Sequence, residues 1–417
     1  MANFNSKFLI MDNFNSKNIS LSFATELMTQ EERLDIKREK NTVSIGIPKE
    51  VNNDENRVAL VPDAVNMLVN NGHKVIIESD AGRKAHFFNN EYADAGAVIA
   101  YEKSEVFQSD IILKISPLTN EEIEYIRNKQ TIISTLHATI QSAEYFRKLM
   151  SKKVNCLAFE LIKDKSDTFS VVRSMSEIAG NTSILIAAEY LSNINNGKGL
   201  MLGGFSGITP TEILILGAGT VGEFAARAAM GLGATVKVFD SSVYKLRRLQ
   251  NSLGSRIITS VFQPKVLLKS LKTADVVIGA VHSKNGMTSC LISEDMVMQM
   301  KHGSVIIDVS IDQGGCIETS RVTSHAEPVF IKHNIIHYCV PNIASRVSRT
   351  ASYALSNFFG PTLLQVGEEG GVDNLIKIES GIRNGVYIYN GVLTNSFIGK
   401  KHNIPSQDID LLITALR

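Results

Sequence analysis

Long apolar runs are missing from this chain. The most apolar stretches, such as ILIAAEYL (184–191), stop early and carry Glu189, so no segment reaches the length of a membrane span. Cysteine is sparse. Cys156, Cys290, Cys316 and Cys339 stand far apart, with no CxxC pair and no spacing that would hold a metal. That excludes a disulfide scaffold and a zinc cluster, and it leads us to expect free thiols in a reducing, cytoplasmic compartment. Excess charge is missing too. Lys and Arg number 43 against 42 Asp and Glu, a net charge of +1, which argues against a broad nucleic-acid footprint. The opening MANFNSKFLIMDNFNSKNIS has no apolar core after a basic start, so it does not read as a secretion signal. It repeats NFNSK at 3–7 and 13–17 and reads as a disordered leader, with Met11 as an alternative start.

What is present is a globular composition, 44% apolar and 20% charged. At 417 residues the chain is too long for one ordinary core, so two domains are expected. Residues 1–40 read as an extension, with a charged surface or inter-subunit helix over 21–40. From residue 41 short β-rich runs alternate with helical patterns. VSIGIP (43–48), KVIIES (74–79), DIILKI (110–115), TIISTL (131–136) and NCLAFE (155–160) form one series. After a long helical stretch at 174–194 a second series follows: EILILG (212–217), TVKVFD (235–240), DVVIGA (275–280), SVIIDVS (304–310) and IIHYCV (335–340). Strands alternating with helices predict α/β domains with parallel, doubly wound sheets. The chain beyond about 350 reads as largely helical and is expected to return to the first domain. The expected division is 41–172 with 346–417 as one domain, and 173–345 as the other.

ILGAGTVGEFAARAAMGLG carries the strongest generic signal. Gly217, Gly219 and Gly222 form G-x-G-x-x-G between a strand and a helix without proline. Gly217 permits the tight turn, Gly219 lets the backbone approach a pyrophosphate, and Gly222 allows close packing of helix on strand. The helix N-terminus would face the phosphates with its partial positive charge. Asp240 ends the next strand, 18 residues after Gly222. It is placed to accept both ribose hydroxyls and to repel a 2′-phosphate, which favours NAD over NADP. Lys245, Arg247 and Arg248 stand nearby, and an arginine can hold a 2′-phosphate. The alternative is a tight turn with no ligand. Ligands of such sheets sit outside the carboxyl ends of the strands. That singles out Ala280 and Val281, the run VSIDQGG with Val309, Ile311 and Asp312, and Val340 to Asn342. Asp312 is either a ligand-facing carboxylate or an Asx-turn residue.

The first domain offers fewer signals. PKEVNNDENRVALVP (48–62) is a polar loop whose second half carries Arg57. This arginine either grips a carboxylate through two parallel bonds or is a solvated surface group. His137 in STLHATI stands at a strand end, suited to proton transfer near neutrality, or is a hydrogen-bonded structural histidine. Lys114 in DIILKISPL is an odd cation near the end of an apolar strand. It is either a snorkelling surface group or a positioned reactive charge.

These motifs together resemble alanine dehydrogenase, in the family that includes the alpha subunit of proton-translocating transhydrogenase. The carrying segments are IGIPKEVNNDENRVALVPDAV, SMSEIAG, ILGAGTVGEFAARAAMGLGA, IIDVSIDQGGC and HYCVPNIAS. The likeness runs from about Val43 to about Leu363. It implies two Rossmann-like doubly wound domains with a cleft between them, NAD as cofactor, no metal, and reversible oxidative deamination of L-alanine to pyruvate and ammonium. It implies a homo-oligomer, typically a hexamer. By position, Arg57 looks like the family's carboxylate-binding arginine, His137 its catalytic histidine and Asp312 the carboxylate that activates water or ammonia. Ser176, Asp240, Lys245, Val281, Asn342 and Ile343 fall on cofactor-contacting positions. Asp312 before QGG looks more like the dehydrogenase than like the transhydrogenase.

The chain departs from the family at one telling place. Where the dehydrogenases read Lys-x-Lys-x-Pro, it reads Lys114-Ile115-Ser116-Pro117. The substrate-gripping second lysine is Ser116. Residues i and i+2 of a strand point to one face, so Lys114 is expected to reach toward the vacated spot. A second departure is GRKAHFFNNEY (82–92), away from the expected chemistry. The alternatives are a related oxidoreductase acting on another small amino or 2-keto acid, and a protein that holds NAD(H) without turnover.

Overall fold

The computed structural model describes residues 41–138, 140–282 and 288–415. The leader and the helix expected over 21–40 lie outside the described residues. Six strands come first: β1 (Ser44–Ile47), β2 (Lys74–Glu78), β3 (Val98–Ala100), β4 (Ile111–Leu113), β5 (Thr131–Ser134) and β6 (Asn155–Ala158). Seven follow: β7 (Glu212–Leu216), β8 (Thr235–Phe239), β9 (Ile258–Ser260), β10 (Val276–Gly279), β11 (Val305–Asp308), β12 (Val329–Lys332) and β13 (Ile335–Tyr338). β14 (Val386–Tyr389) and β15 (Val392–Leu393) come last.

These strands make two sheets. The first has the order β15-β14-β6-β5-β4-β1-β2-β3, and the second β12-β13-β11-β10-β7-β8-β9. β1 to β6 pair in parallel, as do β7, β8, β9, β10, β11 and β13. In each, the chain winds outward in one direction, returns to the middle and winds outward the other way. The reversal falls between β1 and β4 in the first sheet and between β7 and β10 in the second. Ligands of such sheets bind at that switch point, beyond the carboxyl ends of the strands.

The strands read as apolar runs because both faces are covered. β4, β5, β6, β10 and β11 are buried at every residue. Alternate residues of β4 feed different cores: Ile111 and Leu113 pack with Leu355, Phe359 and Leu363, whereas Ile112 packs with Ile132, Phe146 and Leu149. Each such aliphatic side chain contributes about 1.5–3 kcal/mol when fully buried.

Two antiparallel additions correct the sequence reading. β14 pairs with β6 and β15 with β14, so the C-terminal region is not only helical. Asn390 and Gly391 join them with φ of 49° and 79°, the left-handed pair of a two-residue hairpin turn. β12 pairs with β13 through His333 and Asn334, again both at positive φ.

Five helices bear on the site: α1 (Pro62–Asn70), α2 (Asn120–Tyr125), α3 (Ser170–Leu191), α4 (Thr220–Gly231) and α5 (Ser348–Glu368). α3 reaches both cores. Val171 and Met175 pack in the core of the first sheet, while Ala179, Ile184, Ile186 and Leu191 pack in that of the second. Gly180 lets α3 cross α4 closely, since a Cβ there would stand 2.5 Å from the Val221 carbonyl oxygen.

Candidate functional site

The second sheet's switch point is built by glycine. Gly217 follows β7 with φ of 109°, and a Cβ on it would stand 2.3 Å from the carbonyl oxygen of Ala280, just past β10. A Cβ on Gly222 would stand 1.9 Å from the Gly217 carbonyl oxygen. Both glycines are therefore required by the protein's own packing. Gly219 differs: a Cβ there would meet nothing within 4 Å. Its bare backbone borders open space at the N-terminus of α4, where a phosphate can approach.

Asp240 stands beside this turn, buried. Its Oδ2 accepts the Ala218 N–H at 2.8 Å and its Oδ1 accepts the Ser242 N–H at 2.8 Å. Each carboxylate oxygen has a second lone pair for a hydroxyl. Lys245 Nζ is 3.9 Å from Oδ2, and Arg248 donates to the Ala218 carbonyl at 3.3 Å. The Val281 N–H donates to Ser310 Oγ at 2.9 Å. Val309, Ile311 and Asp312 lie on one 3-10 turn after β11. Val340, Asn342 and Ile343 follow β13, and Ser176 lies half-buried on α3.

The first sheet's switch point carries the charged residues. Arg57 is buried, which excludes the solvated reading. Its Nε and NH2 donate to Glu55 Oε1 and Oε2 at 2.8 and 2.7 Å, and its NH1 donates to Met175 Sδ at 3.3 Å. Burial opposes both charges of the Arg57–Glu55 pair. Their mutual attraction outweighs it, so Arg57 stays above its ordinary pKa and Glu55 below its own. Two guanidinium N–H groups remain for a further acceptor.

Lys114 stands just past β4 and is not free. Its Nζ lies 3.1 Å from Glu122 Oε2 and 3.6 Å from Glu50 Oε2, with 1% of the side chain exposed. Glu122 belongs to α2, where it forms a capping box with Thr119. This geometry pairs the Lys114 ammonium with the two carboxylates. Glu50 also holds the backbone that follows: its Oε1 accepts the N–H of Ile115 at 2.7 Å and that of Ser116 at 3.3 Å. Burial raises the Glu50 pKa, with Lys114 opposing. Glu50, Arg57 and Lys114 line one small cavity with Ile47, Val58 and Leu113.

His137 follows β5 with φ of 46°. The Leu136 N–H just before it donates to Glu160 Oε1 at 2.8 Å. On the side of the second sheet, Asp312 Oδ1 accepts the Asn342 N–H at 3.0 Å. His137 and Asp312 both keep an open face, yet protein surrounds them closely enough to desolvate both. Burial, then the Arg57 charge, lowers the His137 pKa; burial raises that of Asp312. Both groups thus favour the neutral form more than they would in water.

Arg57, His137 and Asp312 come from different strand ends, but Arg57 acts electrostatically on both of the others. Glu50, Glu55, Glu122 and Glu160 were missed by the sequence reading. Only Glu122 had a local signal, the T-x-x-E of its capping box.

Residues 46–179 match the N-terminal domain of the alanine dehydrogenase/PNT family, and residues 183–396 match its C-terminal domain. The chain belongs to the alanine dehydrogenase/PNT family. An alanine dehydrogenase of Methanococcus maripaludis is 38% identical over 363 residues, 87% of this chain and 97% of that one. That of Staphylococcus saprophyticus is 36% identical over 367 residues, 88% and 98% of the two chains. A solved L-alanine dehydrogenase superposes with a TM-score of 0.80 at 32% identity, covering 86% of this chain and 98% of the other. A transhydrogenase structure from Sinorhizobium meliloti, at 22% identity and a TM-score of 0.74, shares the fold. The alanine dehydrogenase/PNT matches span both sheets, so every site residue described above lies within them.

Proposed function

We propose that the protein is an NAD-dependent alanine dehydrogenase. It converts L-alanine, NAD and water to pyruvate, ammonium, NADH and a proton, and works in reverse. The observation that carries this reading is the meeting of two switch points. Arg57 and His137 stand past the strand ends of one sheet, and Asn342 of the other bonds both Glu55, which holds Arg57, and Asp312. The glycine turn with Asp240 beside it fits a dinucleotide.

The roles follow from the chemistry. Gly217, Gly219 and Gly222 shape the phosphate cradle, and Asp240 accepts the ribose hydroxyls. Ser176, Lys245, Ala280, Val281, Val309, Ile311, Val340, Asn342 and Ile343 line the rest of the cofactor site. NAD, when bound, supplies the hydride acceptor. Arg57 holds the substrate carboxylate with its two spare N–H groups. His137, neutral near physiological pH, takes or gives the proton at the substrate oxygen; such a group typically contributes 10²–10⁴-fold. Asp312 activates the water, or the ammonia in the reverse direction. Lys114 and Ser116 border the carboxylate end of the site.

We further propose a homo-oligomer of six copies in the cytoplasm. Exposed Met201, Phe205 and Ile208 on one short segment support self-association, and four free cysteines suit a reducing compartment. Among the described residues no helix is long and apolar enough to cross a membrane. The deciding experiment follows NADH absorbance with pyruvate and ammonium, then NAD with L-alanine. Turnover in both directions is expected. NADH binding without turnover of either substrate would overturn the reading.

A further inference from the structure

We propose that Asn342 is a positioning residue that ties Arg57 to Asp312 across the cleft. The roles of those two partners rest on the alanine dehydrogenase reading; the bonds do not. The Asn342 side chain donates from Nδ2 to Glu55 Oε2 at 2.8 Å. The same oxygen accepts Arg57 NH2 at 2.7 Å. The Asn342 backbone N–H meanwhile donates to Asp312 Oδ1 at 3.0 Å. One residue after β13 thus holds both the carboxylate that aims the substrate arginine and the carboxylate assigned to the amine step.

The backbone makes this possible. Asn342 is left-handed, with φ of 56° and ψ of 49°, a conformation that asparagine tolerates better than most residues. The amide is also the right chemistry. Glu55 already takes the Nε, NH2 and backbone N–H of Arg57. A cation at 342 would compete with Arg57 for Glu55, and a carboxylate would repel it. A neutral donor adds one more bond and leaves the pair's charge intact. The loop is held in the same register by neighbours of Asn342. The Asn56 N–H donates to Ser345 Oγ at 2.8 Å, and the His325 N–H donates to Asp54 Oδ1 at 3.0 Å. A residue that only touched the cofactor would have no need of Glu55.

The test compares wild type with N342D and N342G. Glycine keeps the left-handed backbone and the N–H to Asp312 but removes the bond to Glu55. Aspartate keeps the shape and sets a second carboxylate against Glu55. Both variants are expected to raise the pyruvate KM about tenfold or more, as for a lost bond to a charged group, with a smaller change in NADH affinity. In N342D alone, the defect shrinks as pH falls from about 9 to about 6, because a shared proton relieves the repulsion. A pyruvate KM and pH profile like wild type in N342D would overturn the proposal. So would a loss of NADH affinity as large as that for pyruvate.

A wild-type protein without alanine turnover would sink the functional reading but leave this one testable by melting curves. The gap between wild type and N342D then widens as pH rises, since the variant's closely paired carboxylates favour a bound proton. A gap that does not change with pH would overturn the coupling.

Discussion

At the scale of single residues, charge at this site is set by partners far apart in sequence. Lys114, near the end of an apolar strand, read as either a snorkelling surface group or a positioned reactive cation. Its surroundings turn it into a buried ion pair with Glu122 and Glu50. Removing one member of such a pair leaves an uncompensated buried charge, which costs about 3–5 kcal/mol. K114M is therefore expected to lower the unfolding free energy by about 3–5 kcal/mol in a denaturant titration. Stability like wild type together with a raised pyruvate KM would instead place the ammonium on the substrate. Legibility follows the same line. Arg57, His137, Asp312 and the three glycines stood out in the sequence because each follows a readable strand. Glu50, Glu55 and Glu160 did not, because their partners are set by folding rather than by spacing. Nor did the sequence show that Glu50 accepts the backbone N–H of Ser116.

At the scale of elements, the glycine turn separates packing from binding within six residues. Gly222 presses on Gly217, while Gly219 borders open space. G222A is expected to lower the melting temperature, because a Cβ 1.9 Å from a carbonyl oxygen must displace α4 or the turn. G219A is expected to melt like wild type and to lose NADH affinity about tenfold or more, the added methyl standing where the pyrophosphate approaches. Calorimetry and thermal melts on both variants check the pair. Equal effects on melting would mean that Gly219 is structural as well. Most parallel strands were legible because they are continuous apolar runs bounded by turns. β3 and β9 were not: each has three residues at a sheet edge. β14 and β15 were overlooked, although the Asn390–Gly391 pair between two β-rich runs is a strong hairpin signal. The strongly helical sequence before it masked that cue.

At the scale of the whole molecule, a shared helix and a bonded seam join the two sheets. α3 packs into both cores, so its ends cannot move independently of either sheet. The seam is the loop 54–57, bonded to His325, Asn342 and Ser345. The seam residues from the second sheet lie at or near its cofactor-side strand ends. A ligand that binds only the folded state stabilises it by about 2.7 kcal/mol at a hundred times its dissociation constant. NADH contacts proposed for the second sheet should therefore also protect the seam. Amides of Asn56 and Arg57 are expected to exchange at least about tenfold more slowly with saturating NADH, although they belong to the other sheet's loop. Hydrogen exchange read by mass spectrometry over peptides spanning 50–60 measures this. Protection confined to the glycine turn and α4 would mean that the seam opens on its own and that cofactor binding does not organise Arg57. Protection of both would mean that the cofactor readies the substrate arginine before the substrate arrives. Arg57, already held by Glu55, would then meet a substrate carboxylate with its guanidinium preorganised.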